Sequence, residues 1–157
     1  AGEWFDPGRQ NYRRGNEISL YVDAEKNPWG MPLKGRIDRL ERTSMGWLIL
    51  DLKTTDDASP EAFGKKAFNL GYHIQAAYYT YLVQQCFGDE NVDFLFCAIE
   101  RNRPHCVGLY RAPELMIQKG RDLFDRALNT LSACKLSERF PGYVSTVSDL
   151  SIPAWVH

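Results

Sequence analysis

Residues 33–53, LKGRIDRLERTSMGWLILDLK, decide the fold that we predict for this chain. The stretch contains two runs rich in apolar residues, 33–42 and 47–53, on either side of Thr43-Ser44-Met45-Gly46. Apolar runs of this length separated by a short polar loop with a glycine are typical of a β-hairpin. The sequence therefore predicts two antiparallel neighbouring strands at the start of a sheet.

Three charged side chains come together in this hairpin. If its loop is centred between Ser44 and Met45, Asp38 and Asp51 lie directly opposite each other, about 4.5–5.5 Å apart. Lys53 follows Asp51 on alternate positions and projects from the same face. Two carboxylates at this spacing repel unless a cation lies between them, and hard divalent cations prefer oxygen ligands. Spacing alone leaves two interpretations open, a metal site and an ordinary Asp–Lys ladder on the surface.

The rest of the chain alternates between short strands and helices. Residues 1–15 are predicted to be irregular, and Phe140-Pro141-Gly142-Tyr143 and Ile152-Pro153-Ala154-Trp155 form an irregular tail with anchoring aromatics. Capping residues and periodicity predict the remaining elements: a strand at 18–22, helices at 60–70, Tyr72–Phe87 and 113–134, a central strand Val92–Glu100 and its hairpin partner 105–111. We predict a single α/β domain over residues 1–157, a mixed central sheet flanked by helices, in the order β-β-β-α-α-β-β-α.

The charge balance shows no strong basic excess. Nineteen Lys and Arg against twenty Asp and Glu leave a net charge of −1. Many non-specific DNA-binding proteins carry a marked basic excess, so a DNA partner requires local concentration of charge. The pairs Arg13–Arg14 and Lys65–Lys66, and the series Arg36, Arg39 and Arg42, are candidates for a basic rim or for an ordinary solvated surface.

The four cysteines stand at positions 86, 97, 106 and 134, without a CxxC pair. This spacing predicts free thiols and no zinc site, and Cys97 is predicted to be a small buried hydrophobe. The sequence has no apolar stretch of membrane length and no signal peptide. We therefore expect a cytoplasmic protein in a reducing compartment, with no membrane partner.

The sequence motifs in and after the hairpin resemble those of a known nuclease superfamily. Gly35-Arg36-Ile37-Asp38-Arg39, Leu50-Asp51-Leu52-Lys53-Thr54-Thr55 and Gln75-Ala76-Ala77-Tyr78-Tyr79 occur in that order. Together they resemble the G-x-x-D-R, D-x-K-T and Q-x-x-x-Y motifs of the RecB-like branch of PD-(D/E)xK nucleases. Within that branch, the chain resembles most closely the RecE-type (exonuclease VIII) recombination exonucleases of phages and prophages. This likeness rests on residues 71–79, residues 94–100 and the Phe-Pro-Gly-Tyr and Ile-Pro-Ala-Trp sequences of the tail.

The resemblance implies roles for individual residues. Asp38 and Asp51 would hold Mg²⁺ or Mn²⁺ with the backbone carbonyl of Leu52, and Lys53 would orient or deprotonate the attacking water and neutralise charge on the scissile phosphate. Gln75 and Tyr79 would brace the site or contact DNA. Further candidates complete the set: Glu17 as a metal ligand, and His73 and Arg36 as DNA contacts.

The resemblance also implies an activity, partners and a location. The activity is 5′→3′ digestion of double-stranded DNA from an end, which delivers a single strand to an annealing protein. The protein would form a ring-like homo-oligomer in the cytoplasm of a bacterial or phage-infected cell. These nucleases usually have an upstream helix with a His or Glu that completes the metal site. Nothing before Glu17 matches it, so we expect the chain to lack that helix.

The same residues suggest three other interpretations. The iron–sulfur variant of RecB-like nucleases is rejected, because it needs a cysteine before the nuclease core and three closely spaced ones after it. A PD-(D/E)xK endonuclease of restriction or repair type would use the same chemistry. A non-catalytic DNA-binding or assembly module with an incomplete site is the alternative outside enzymes.

Overall fold

A computed structural model describes residues 14–88, 91–152 and 155 of the chain. The predicted order β-β-β-α-α-β-β-α is confirmed, with one additional 3₁₀ turn, Ala24–Lys26, after the first strand. The elements are β1 Arg14–Val22, β2 Leu33–Thr43, β3 Gly46–Thr55, α1 Pro60–Asn69, α2 Tyr72–Phe87, β4 Val92–Glu100, β5 Val107–Arg111 and α3 Glu114–Ser137. The prediction that residues 1–15 are irregular is wrong for Arg14 and Gly15, which pair with β2, and its remaining part, residues 1–13, lies outside the described residues.

The five strands form one mixed sheet in the order β1-β2-β3-β4-β5. Only the β3–β4 pair is parallel, because α1 and α2 provide the long crossover that parallel neighbours require. β4, predicted as central, lies inside the sheet between β3 and β5, and β3 is the middle strand. The predicted fold class is correct, and the carboxyl ends of β3 and β4 meet at the same edge.

The β2–β3 hairpin has the register that its loop predicts. Thr43 pairs with Gly46 next to the turn, and the pairing continues to Arg39 opposite Leu50. Gly46 has a φ of 139°, and a Cβ there would overlap the carbonyl of Asn91. A glycine is therefore required where the hairpin passes the chain that leads into β4.

The core lies between one face of the sheet and the helices. Ile49, Phe94 and Phe96 are buried on this face beneath Leu82 and Val83 of α2. The opposite face carries exposed apolar side chains, including Leu52, Val107 and Leu109. The helices thus cover the face of β3 from which Asp51 projects.

Two local details concern the start of α1 and the tail. Ser59 is the N-cap residue of α1, but its side chain makes no capping hydrogen bond. Phe140, Tyr143 and Trp155 are 67%, 108% and 83% exposed, so the prediction that the tail aromatics anchor it is wrong within the described chain. Pro153 and Ala154 lie outside the described residues.

The structure also describes the four cysteines and the apolar character of the helices. Cys86, Cys97, Cys106 and Cys134 are free, although Cys97 is half-buried rather than fully buried. In residues 14–88, 91–152 and 155, no helix combines the length and the apolar character needed to cross a bilayer.

We expect Gly120→Ala to destabilise the protein by about 1–3 kcal/mol, the usual cost of overpacking a close contact. Gly120 is buried in α3, and a methyl group there would overlap the carbonyl of His73 in α2. The helices must separate to relieve this overlap. Urea denaturation of the variant and the parent protein measures the difference in free energy of unfolding.

Gly64→Ala provides the matched control. Gly64 is an exposed position inside α1, with no atom within 4 Å of the place that a Cβ would occupy. Alanine there should stabilise the protein by about 0.5–1 kcal/mol, because glycine loses more backbone freedom on folding. Equal stabilisation by both substitutions would contradict a close α2–α3 contact at Gly120.

Candidate active site

Asp51 and Lys53 form a buried ion pair near the carboxyl end of β3. Asp51 is 1% exposed, and the side chain of Lys53 is 14% exposed. Lys53 Nζ lies 2.5 Å from Asp51 Oδ2 in an ion pair. The ammonium is the positive partner that a buried carboxylate requires, and the remaining lone pairs of the carboxylate can still bind a further cation.

Gln75 of α2 connects these two side chains. Lys53 Nζ donates a hydrogen bond to Gln75 Oε1 at 2.7 Å, and Gln75 Nε2 donates to Asp51 Oδ1 at 3.1 Å. An amide is both donor and acceptor, so this pair of contacts sets the orientation of its head group. The structure therefore brings the predicted residues Asp51, Lys53 and Gln75 into one network.

Asp38 reaches this network from β2. The regular β2–β3 pairing ends at Arg39 and Leu50, and Asp38 and Asp51 occupy the next positions in the same register. There, Asp38 Oδ2 accepts a hydrogen bond from the Leu52 backbone N–H at 2.8 Å. A side chain thus replaces the backbone partner where the two strands part, and it keeps both aspartates at the same end of the hairpin.

Burial raises the pKa of the Asp51 carboxyl above its ordinary value. The neighbouring Lys53 ammonium lowers this pKa, and the Asp38 carboxylate raises it again. The direction follows from the low exposure of Asp51, because a carboxylate loses hydration in such a place. A cation bound by the two aspartates would compensate for the lost hydration.

The donor set fits a hard divalent cation. Asp38 and Asp51 supply carboxylate oxygens, and the backbone carbonyl of Leu52 belongs to the residue between Asp51 and Lys53. Mg²⁺ typically binds one or two protein carboxylates and completes its shell with waters and substrate phosphates. Among the described residues, no group of three or more His, Cys, Asp or Glu side chains converges as a metal site. Two aspartates with open positions match Mg²⁺ better than a metal fully enclosed by protein.

Glu17 lies beside Asp38 but is held by another partner. Asn16 pairs with Arg39 and Ile18 with Ile37, so Glu17 faces Asp38 in the register without pairing to it. Its φ of 55° is unusual for a non-glycine residue inside a strand. Its carboxylate forms an exposed ion pair with Arg36. The roles predicted for Glu17 in metal binding and for Arg36 in DNA binding stay predictions.

Tyr79 and His73 lie on α2 with Gln75. Tyr79 is half-buried, and its ring lies against Gly35 of β2, where a Cβ would come within 3.0 Å of it. His73 is 4% exposed and stacks on Phe68 with ring centroids 4.6 Å apart. Their DNA contacts stay predictions, and the burial of His73 favours a structural role.

Tyr72 is a site residue that the sequence analysis did not assign. Lys53 Nζ lies 4.7 Å from the centroid of its ring, within the range of a cation–π contact. Tyr72 is three residues before Gln75, so both side chains share one face of α2. That spacing could have indicated that both residues reach Lys53.

We expect the affinity for Mn²⁺ to fall as the pH is lowered. The fall should begin at a pH above 3.8, the ordinary pKa of an aspartate. The metal needs the ionised carboxylate, and the raised pKa of Asp51 lets protons compete at higher pH than for an exposed aspartate. Calorimetric titration with Mn²⁺ from about pH 4 to pH 7 measures this dependence. An affinity that does not change over this range would contradict a metal ligand at Asp51.

Comparisons with known proteins place the whole domain in context. The model of a family described as a PDDEXK-like domain of unknown function (DUF3799) matches residues 5–149. The crystal structure of a "Putative exonuclease" from Eubacterium rectale superposes with a TM-score of 0.63 at 15% identity, over 88% of this chain and 54% of that chain. No curated protein matches the chain significantly.

A second solved structure, SSO0001, has a TM-score of 0.45 and 14% identity, over 83% of this chain and 53% of that chain. The chain thus spans about half the length of each of these two proteins. At 15% identity, the likeness to the Eubacterium rectale protein shows a shared fold.

Proposed function

The chain belongs to the PDDEXK-like DUF3799 family, and on that basis we propose that it is a divalent-metal-dependent deoxyribonuclease. The observation that carries the proposal is the buried Asp51–Lys53 pair bridged by Gln75, with Asp38 beside it. Burying an ionic network costs free energy of desolvation, so stability alone does not account for it. The binding of a metal and a phosphate would account for these buried charges.

Each residue has a distinct task in this proposal. Asp38 and Asp51, with the Leu52 carbonyl, hold Mg²⁺ or Mn²⁺, which polarises the phosphate and activates water when it is bound. Lys53 orients the attacking water and neutralises charge that develops on the scissile phosphate. Gln75 holds the Lys53 ammonium and the Asp51 carboxylate in their relative positions. Tyr72 limits the movement of the Lys53 head group.

The reaction that we propose is 5′→3′ digestion of double-stranded DNA from an end, in recombination by single-strand annealing. The motif resemblance to RecE-type exonucleases supports it. The fold shared with a protein described as an exonuclease is consistent with it. The same resemblance supports a ring-like homo-oligomer, an annealing partner and the cytoplasm of a bacterial or phage-infected cell. Glu17, His73, Arg36 and Tyr79 are secondary candidates in metal or DNA binding.

Digestion of end-labelled DNA tests this function. With Mg²⁺, we expect linear duplexes to lose nucleotides from the 5′ ends and closed circular DNA to remain intact. Asp38→Asn should abolish digestion. Asp56→Asn, which changes an exposed aspartate paired with Arg101, should leave it unchanged. Loss of nucleotides from the 3′ ends alone would contradict the polarity.

Two alternatives predict different results in these experiments. A PD-(D/E)xK endonuclease would nick closed circular DNA with the same dependence on Asp38. A non-catalytic module would digest neither substrate, and calorimetry would detect no Mn²⁺ binding that depends on Asp38 and Asp51. The observation that favours the second alternative is the absence of a third convergent metal ligand among the described residues.

A further inference from the structure

Lys66 of α1 lies beside the active centre and makes a contact that the proposed function does not use. Asp51, Lys53 and Thr55 occupy alternate positions of β3 and project from the same face. Lys66 Nζ donates a hydrogen bond to Thr55 Oγ1 at 3.2 Å, and Thr55 Oγ1 in turn donates to the Asp57 carbonyl at 3.0 Å. Thr55 is 1% exposed, so its hydroxyl has a fixed position and holds the Lys66 ammonium near β3.

The charge of Lys66 distinguishes it from neighbouring cations. Lys65 is paired with Glu61. Arg101, whose backbone N–H donates to the Thr55 carbonyl, is paired with Asp56. Lys66 is half-buried, contacts a neutral hydroxyl, and forms no ion pair in the part of the chain that the structure describes. The nearby carboxylates of Asp57 and Glu100 accept hydrogen bonds from the Ser59 and Ala58 backbone N–H groups, so the Lys66 ammonium remains available to an anion.

We propose that Lys66 binds the DNA phosphate next to the scissile one. Lys53 and Thr55 are two residues apart along β3, a backbone spacing of roughly 6.6 Å, so the ammonium that contacts Thr55 lies on the same face of the strand as Lys53. A strand that places one phosphate at Asp51 and Lys53 brings the adjacent phosphate toward this second ammonium. Lysine is suited to this role because it binds phosphate as a point charge with three donors.

The ordinary role of such a lysine is structural. Lys66 lies in the last turn of α1, where a cation interacts favourably with the free helix carbonyls. That role changes the stability of the helix but not the number of phosphates that the protein neutralises. The salt dependence of DNA binding separates the two roles, because its slope counts the phosphate contacts.

The experiment compares Lys66→Gln with Lys65→Gln as the matched control. Binding of a labelled duplex is measured over a series of salt concentrations with Ca²⁺ in place of Mg²⁺, and electrophoresis verifies that the DNA stays intact. We expect Lys66→Gln to lower the slope of log affinity against log salt by about 0.9 and Lys65→Gln to leave it unchanged. Lys66→Arg should restore the slope. Urea denaturation of each variant checks that the fold persists.

Three outcomes would overturn the proposal: equal slopes for Lys66→Gln and the parent protein, equal reductions in both glutamine variants, or no DNA binding by the parent protein. The inference rests on the proposed nuclease function, but the two can fail separately. A protein that digests DNA through Asp51 with an unchanged slope for Lys66→Gln loses only the second phosphate contact. A protein that binds neither Mn²⁺ nor DNA loses both.

Discussion

Asp51→Asn is expected to abolish metal-dependent DNA hydrolysis, lowering the rate at least about 1,000-fold, while the protein stays folded. Asparagine has nearly the same shape and can still contact Gln75, but it removes the charge that holds the cation. Losing several kcal/mol of charge stabilisation corresponds to three or more factors of ten in rate. Release of labelled nucleotides under single-turnover conditions measures the rate, and circular dichroism confirms the fold.

The metal provides an independent measure of the same substitution. Calorimetry should detect Mn²⁺ binding to the parent protein and to Asp56→Asn, but not to Asp51→Asn. Asp56 is a suitable control because it is an exposed aspartate that directly follows β3, the strand that carries Asp51. Hydrolysis by Asp51→Asn within tenfold of the parent rate would exclude Asp51 as a metal ligand.

Lys53→Ala is expected to lower the rate of hydrolysis by about 10²–10⁴-fold while Mn²⁺ binding persists. The ammonium contacts Asp51 and Gln75 but is not a metal ligand, so its loss affects the water and the phosphate rather than the cation. The combination of retained metal binding and lost hydrolysis distinguishes Lys53 from Asp51. The same calorimetric and single-turnover measurements apply.

Lys65→Ala is the matched control for Lys53, since Lys65 is an exposed lysine paired with Glu61 on α1. It should retain both activities. Cleavage at the parent rate by purified, folded Lys53→Ala would refute the assigned mechanism. Lys53→Arg should recover little activity, because a planar guanidinium does not fit the contacts that Gln75 and Tyr72 make with an ammonium.

The parts of the fold that depend on local chemistry could be predicted from the sequence. The bounds of α2, Tyr72–Phe87, match the prediction because Gly71 and Gly88 flank it, both in the left-handed conformation. The β2–β3 register follows from a short loop that leaves few ways to join the two strands. The same register accounts for the positions of Asp38 and Asp51.

Other features depend on contacts between distant segments and could not be predicted. Strand β1 begins at Arg14 rather than Ile18, because its first polar residues pair through the backbone with β2 at the sheet edge. The burial of His73 follows from the close approach of α2 and α3. The Lys66–Thr55 hydrogen bond joins α1 to β3, and nothing in the sequence near either residue indicates that these two elements lie so close together.

The middle position of β3 has a consequence for how the site responds to heat. The strand pairs with β2 as far as Leu50 and with β4 as far as Thr55, so its amides exchange with solvent deuterium slowly unless the sheet opens. Asp51 and Lys53 lie in the part of β3 that β4 alone pairs, and they therefore keep their places as long as the parallel β3–β4 pairing persists. Loss of activity on heating should coincide with cooperative unfolding of the whole domain.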